Sequence, residues 1–185
     1  MARLQNDNYE EIKNAVVDLF EKLQVREVPI DCFAIAQSLG FEVIPYSKLS
    51  AKKVEAIQSL GNGDAYTLIV EGGKKVIYFD NRVRVGRQRF TLMHEIGHYV
   101  LGHKEESELA KSEADFFARY SLAPLPLVHA LKIDNFADIE VIFEVSGECA
   151  YNVMNHYNKW LHCGPKYYLD YEERLMTLFK MKRGA

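Results

Sequence analysis

The apolar residues of this chain change their spacing several times, and each change marks an element. Ile12, Val16, Leu19, Phe20 and Leu23 recur at three and four residues between charges, which predicts an amphipathic helix over residues 8–24. Asp31 stands as an N-cap before Phe33, Ile35, Ala36 and Leu39, with Gly40 as the stop. Phe41-Glu42-Val43-Ile44 alternates as a short strand that ends near Pro45. Residues 47–60 carry Val54, Ile57 and Leu60 among Lys, Ser and Ala and predict a short helix or an ordered loop. Gly61-Asn62-Gly63-Asp64 is a turn signal; the β-rich runs 65–70 and 75–79, joined through Glu71-Gly72-Gly73-Lys74, then predict a hairpin.

From Arg87 the spacing is helical again, with Phe90, Met93, Gly97, Val100 and Leu101 as apolar positions and Gly102 as the stop. A second helix is predicted over 106–120 with Leu109, Phe116 and Phe117 as its apolar face, ended by Pro124 and Pro126. Residues 138–143, 147–161 and 171–181 predict further helices. Helices, a small strand group, then helices make an α+β pattern: a small antiparallel sheet packed with helices, and a helical C-terminal part. The one plausible boundary is Ala123-Pro124-Leu125-Pro126, which divides a core of residues 1–123 from a helical region of residues 124–185.

Composition narrows the function classes. The 185 residues, 48% of them hydrophobic, suffice for one core with a small appendage. With 23 Lys+Arg against 26 Asp+Glu the net charge is -3, which provides no basic field for nucleic acid or anionic lipid. No stretch approaches the roughly 18 apolar residues of a spanning helix, and residues 1–8 do not read as a secretory signal, so a soluble cytoplasmic protein is expected. Cys32, Cys149 and Cys163 are odd in number and without a CxxC pair, so free thiols are expected rather than disulfides or a thiolate metal site. Lys180-Met181-Lys182-Arg183 reads as a solvated helix end.

The chemistry lies in His94-Glu95-Ile96-Gly97-His98, an HExxH sequence inside the helix that begins near Arg87. Residues four apart share a helix face, so His94 and His98 can offer two imidazole nitrogens to one ion. Glu95 projects about 100° round the helix, where a carboxylate can take a proton from an activated water. Random placement of these residue types would give about 0.02 such matches in a chain of this composition. A hydrolytic zinc site needs a third protein ligand. Leu101 and Lys104 occupy the positions where a metzincin would have Gly and His. His103 would have to fold back across the helix end. Glu113 lies on the next helix, which an antiparallel pairing would set opposite His94 and His98, with Ala114 and Ala118 permitting close approach. Asp115 is either an orienting carboxylate for a ligand histidine or exposed.

Residues 87–98, followed by Leu101-Gly102-His103 and Glu113-Ala114-Asp115-Phe116-Phe117-Ala118, resemble the ImmA/IrrE family of zinc-dependent metallo-endopeptidases. The likeness extends to the strand Val76-Ile77-Tyr78-Phe79 and to the helix around Ala34-Ile35-Ala36, covering roughly residues 25–125. The resemblance implies a zincin-like HExxH helix in a small intracellular protease that cleaves a helix-turn-helix repressor to relieve repression, in mobile elements or stress responses. It also implies Zn²⁺ held by His94, His98 and Glu113, with Glu95 as the catalytic base. Two departures stand out: Asp115 where Asn is usual, and Ser121-Leu122-Ala123-Pro124 for the common Leu-Leu-Met-Pro.

For the oxyanion, Tyr99, His103, His156 and Tyr168 are the available donors. The rival from another class is a regulatory module that binds and sequesters a repressor without cutting it; a zinc aminopeptidase is a third reading. Residues 145–150 form a turn between two predicted helices that resembles a helix-turn-helix, but Lys159 is the sole Lys or Arg in 138–161, too little positive charge to read DNA.

Overall fold

The computed structural model describes residues 4–60, 64–70, 72–105, 107–163 and 168–181. The Gly61-Asn62-Gly63 turn, Glu71 of the hairpin, Glu106, the Cys163 side chain and the Lys182-Arg183 end lie outside the described residues.

The chain forms an α+β fold in the order α1 (Asn6–Leu23), α2 (Cys32–Ser38), β1 (Phe41–Pro45), α3 (Ala51–Leu60), β2 (Ala65–Ile69), β3 (Lys75–Phe79), α4 (Val85–Val100), α5 (Glu108–Leu122), α6 (Leu125–Ala130), α7 (Phe136–Phe143), α8 (Gly147–Cys163) and α9 (Asp170–Leu178). Helix α1 buries Ile12, Val16, Leu19 and Phe20 as its spacing predicts, with Val17 beside them, while Leu23 at its end is half-buried. Asp31 caps α2 by accepting a hydrogen bond from the Ala34 amide at 2.9 Å, and Gly40 follows with φ +82°, where a side chain would be strained.

The sheet corrects one expectation. Its order is β1-β3-β2; β2 and β3 form the antiparallel hairpin, but β1 runs parallel to β3, with Phe41 opposite Lys75 and Pro45 opposite Phe79. A parallel partner needs a crossover of a dozen or more residues, and the segment through α3 and β2 supplies it. As the central strand β3 is covered on both faces, which is why neighbouring Val76 and Ile77 are both buried. β2 is an edge: among the described residues no strand pairs with its other side.

The prolines do more than the sequence reading predicts. Pro124 and Pro126 end α5 and open α6, with Pro124 as N-cap and Pro126 in the first turn, where the missing N–H is not needed. One apolar core runs from α1 through α4 and α5 to α9, and Leu122, Leu127, Phe143 and Leu175 within it are fully buried. Residues on both sides of Ala123 therefore share it. Leu109, expected on the apolar face of α5, is exposed; Ala110, Ala114, Phe117 and Ala118 form that face instead.

Candidate metal centre

Helix α4 has two working faces. Leu92, Met93, Ile96 and Gly97 are buried, while Phe90, Thr91, His94, Glu95 and His98 line an open cleft of about 980 Å³. Phe90, an apolar position by its spacing, packs against the core and also borders the cleft. β2 forms an opposite wall through Ala65, Thr67 and Ile69, alternate residues that share one face of the strand.

Two glycines let α4 sit this deeply. A Cβ on Gly97 would stand 3.0 Å from the Phe117 ring of α5, so that ring packs directly against the α4 backbone. A Cβ on Gly86 would stand 2.5 Å from the Ser146 nitrogen and 2.6 Å from the Val145 carbonyl carbon, in the turn between α7 and α8. Backbone cannot give way as a side-chain tip can. Gly86→Ala is therefore expected to destabilise the fold by about 1–3 kcal/mol, seen as a lowered Tm, because α4 must move off that turn. The turn that resembles a helix-turn-helix is thus packed against the site helix. Arg89 completes the anchoring: its buried Nη2 donates to the Ile30 carbonyl at 2.8 Å and the Phe143 carbonyl at 3.3 Å.

At its C-terminal end α4 closes in a Schellman motif. The His103 amide donates to the His98 carbonyl at 3.0 Å and the Gly102 amide to Tyr99 at 3.3 Å, with Gly102 at φ +71°. This turn folds His103 back, where it meets the far side of the His98 ring: the two Nδ1 atoms are 2.9 Å apart. His103 Nε2 then lies 3.0 Å from Glu113 Oε2, and Asn8 of α1 donates from Nδ2 to Glu113 Oε1 at 3.0 Å. On the other side His94 Nδ1 is 2.8 Å from Asp115 Oδ1.

These contacts assign the protons. A carboxylate accepts, so His94 donates from Nδ1 to Asp115 and turns its Nε2 toward His98. His103 likewise donates from Nε2 to Glu113 and accepts at Nδ1 from His98 Nδ1, which turns the His98 Nε2 toward His94. Those two Nε2 atoms stand 3.1 Å apart. A proton or a metal ion can lie between two imidazole nitrogens at that distance. The donor set fits a metal ion of the zinc type, with each imidazole held in the ligating tautomer by a hydrogen bond at its other nitrogen.

Sequence spacing thus brings His94 and His98 together, but Glu113 is joined to them through His103. Among the described residues no group of three or more His, Cys, Asp or Glu side chains is arranged to hold an ion. Glu95 opens on the cleft, its Oε2 accepting from Thr67 Oγ1 at 2.5 Å. Thr67 and Asn8 were not foreseen from the sequence. Thr67 could be sought as a polar residue on a strand face beside the motif helix; Asn8, 105 positions from Glu113, left no local signal.

Of the oxyanion candidates, Tyr99 and His103 line the cleft. Tyr99 accepts from Lys75 Nζ at 3.1 Å. Tyr168 stacks on Trp160 and His156 packs on Phe116, both outside the cleft lining. Burial, aided by the charges of Arg119, Lys159 and Lys13, pushes the His156 pKa down to about 4, so its ring is neutral near pH 7. Cys32 and Cys149 are free and buried, and burial pushes Cys149, which lines the cleft, up to about 11. A thiol protonated at neutral pH is a poor nucleophile, so the histidines and Glu95 carry the reactive character.

A family model described as the IrrE N-terminal-like domain of the M78 peptidases matches residues 47–158. The chain belongs to the peptidase M78 family. The ImmA/IrrE assignment drawn from the HExxH helix and its flanks is the same one, and the family supports a metallopeptidase-type function. The match begins near the end of β1 and takes in the cleft walls, α4, α5 and most of α8. No curated protein matched the chain. No helix among the described residues is long and apolar enough to cross a membrane.

Proposed function

We propose that this M78 protein is a zinc-dependent endopeptidase of the cytoplasm that cleaves a helix-turn-helix transcriptional repressor and so relieves repression. The observation that carries the reading is the convergence of His94 Nε2 and His98 Nε2, 3.1 Å apart and beside Glu95 in an open cleft. His94, His98 and Glu113 would hold the zinc, Glu113 exchanging its bond to His103 for the ion. When bound, zinc supplies Lewis-acid polarisation of the scissile carbonyl and a water of lowered pKa.

The rest falls to the chain itself. Glu95 accepts a proton from the attacking water on its carboxylate and returns it to the leaving amine. Thr67 holds that carboxylate against the β2 wall. Asp115 and His103 keep the two imidazoles oriented. The unpaired edge of β2 suits an extended substrate, whose backbone N–H and C=O groups can continue the sheet.

The test is to mix the zinc-loaded protein with the product of a neighbouring repressor gene. Fragments in the mass spectrum are expected. An intact, stable complex would instead support a sequestering module, and stepwise loss of single N-terminal residues an aminopeptidase.

A further inference from the structure

Among the described residues two arginines, Arg87 and Arg119, line the cleft. Arg87 holds Asp64 at 2.6 Å; Arg89, outside the lining, is tied through Nη2 to the Ile30 and Phe143 carbonyls, although its Nε too is buried without a partner. Arg119 differs. It lies one turn beyond Asp115 on α5 and lines the cleft with Ser146, Cys149 and Asn152 from the start of α8. Among the described residues its guanidinium makes no hydrogen bond or ion pair, and its Nε is fully buried with no acceptor. The two carboxylates on this side of the cleft do not satisfy it: Asp115 is engaged with His94, and Glu148 is exposed at the rim.

A guanidinium presents five N–H donors in a rigid fork that matches the two oxygens of a carboxylate. Leaving a buried member of that fork unsatisfied is unfavourable, and in a cleft a ligand that completes it is one way to satisfy it. Asn152, on the same wall, adds a side-chain amide that can donate to the same anion.

We propose that Arg119 is a specificity residue that binds a carboxylate of the peptide substrate at the α8 end of the cleft. The inference rests on the peptidase reading of the site. The carboxylate comes either from an Asp or Glu side chain at a fixed distance from the scissile bond or from the peptide's own C-terminus.

The zinc-loaded protein is given a mixed peptide library in two forms, free-acid and C-terminally amidated, and the products are read by mass spectrometry. Enrichment of Asp or Glu at one position in both forms identifies a side-chain source. Cleavage restricted to free-acid peptides identifies the terminus. For a matched pair of peptides that differ as Glu and Gln, or as acid and amide, Arg119→Ala is expected to lower the kcat/KM ratio by about tenfold or more, with Arg119→Lys between. Equal cleavage of both members by the wild type, or a ratio unchanged in Arg119→Ala, would overturn the proposal.

Fluorescence anisotropy of the same labelled pair on zinc-loaded Glu95→Gln protein separates the two readings. If the wild type cuts nothing, the peptidase reading fails. Preferential binding of the acidic peptide that is lost in the Glu95→Gln/Arg119→Ala double variant still supports Arg119, and equal binding overturns it.

Discussion

Glu95→Gln is expected to abolish peptide cleavage while zinc stays bound and the fold is unchanged. The substitution keeps the size of the side chain, and the amide oxygen can still accept from Thr67 Oγ1. What it removes is the ability to accept a proton and return it. General base catalysis of this kind contributes about 10²–10⁴-fold, so kcat/KM on a fluorogenic peptide should fall by at least two orders of magnitude. Elemental analysis should find the zinc content of the wild type, because Glu95 is not among the proposed ligands. Cleavage at the wild-type rate would place the base elsewhere in the cleft.

The second large effect concerns Glu113. Its carboxylate takes hydrogen bonds from His103 and Asn8. As the proposed third ligand it would supply the negative charge that two neutral imidazoles lack. Glu113→Ala should therefore reduce bound zinc to well below one equivalent after dialysis and reduce cleavage with it. His103→Ala, which removes the group between Glu113 and His98 and frees the carboxylate, should retain more zinc than Glu113→Ala. The reverse order would make His103 the ligand and Glu113 the carboxylate behind it, as Asp115 stands behind His94. Those two outcomes assign each residue its place.

The histidine pair was legible because an i, i+4 spacing on one helix fixes both rings before any tertiary contact exists. Most helices were legible for a similar reason: the stripe of α1, the Asp31 cap and the Gly102 stop are local devices. The parallel pairing of β1 with β3 was not, since a single short strand carries no mark of its partner, and only the helix between the two hints at a crossover. That Pro124 and Pro126 also open α6 was missed because proline is as apt to begin a helix as to end one. Around the histidines, the limits are steric and rotameric. Asp115 and Glu113 lie on the same helix two residues apart, yet one reaches His94 and the other His103. Which carboxylate meets which ring depends on how far Gly97 lets α5 approach α4, a distance that no residue pattern states.

The hydrogen bond from Asn8 to Glu113 closes a loop of 105 residues. His103 holds one oxygen of the Glu113 carboxylate from neighbouring sequence, but the other is held only through α1, from far along the chain. The same helix is gripped at its other end by Arg174 of α9, which bonds Asp18 and Glu21. A fragment spanning only the matched residues 47–158 would therefore keep the imidazole pair while losing both α1 and the Arg174 grip, and with them one of the two holds on that carboxylate.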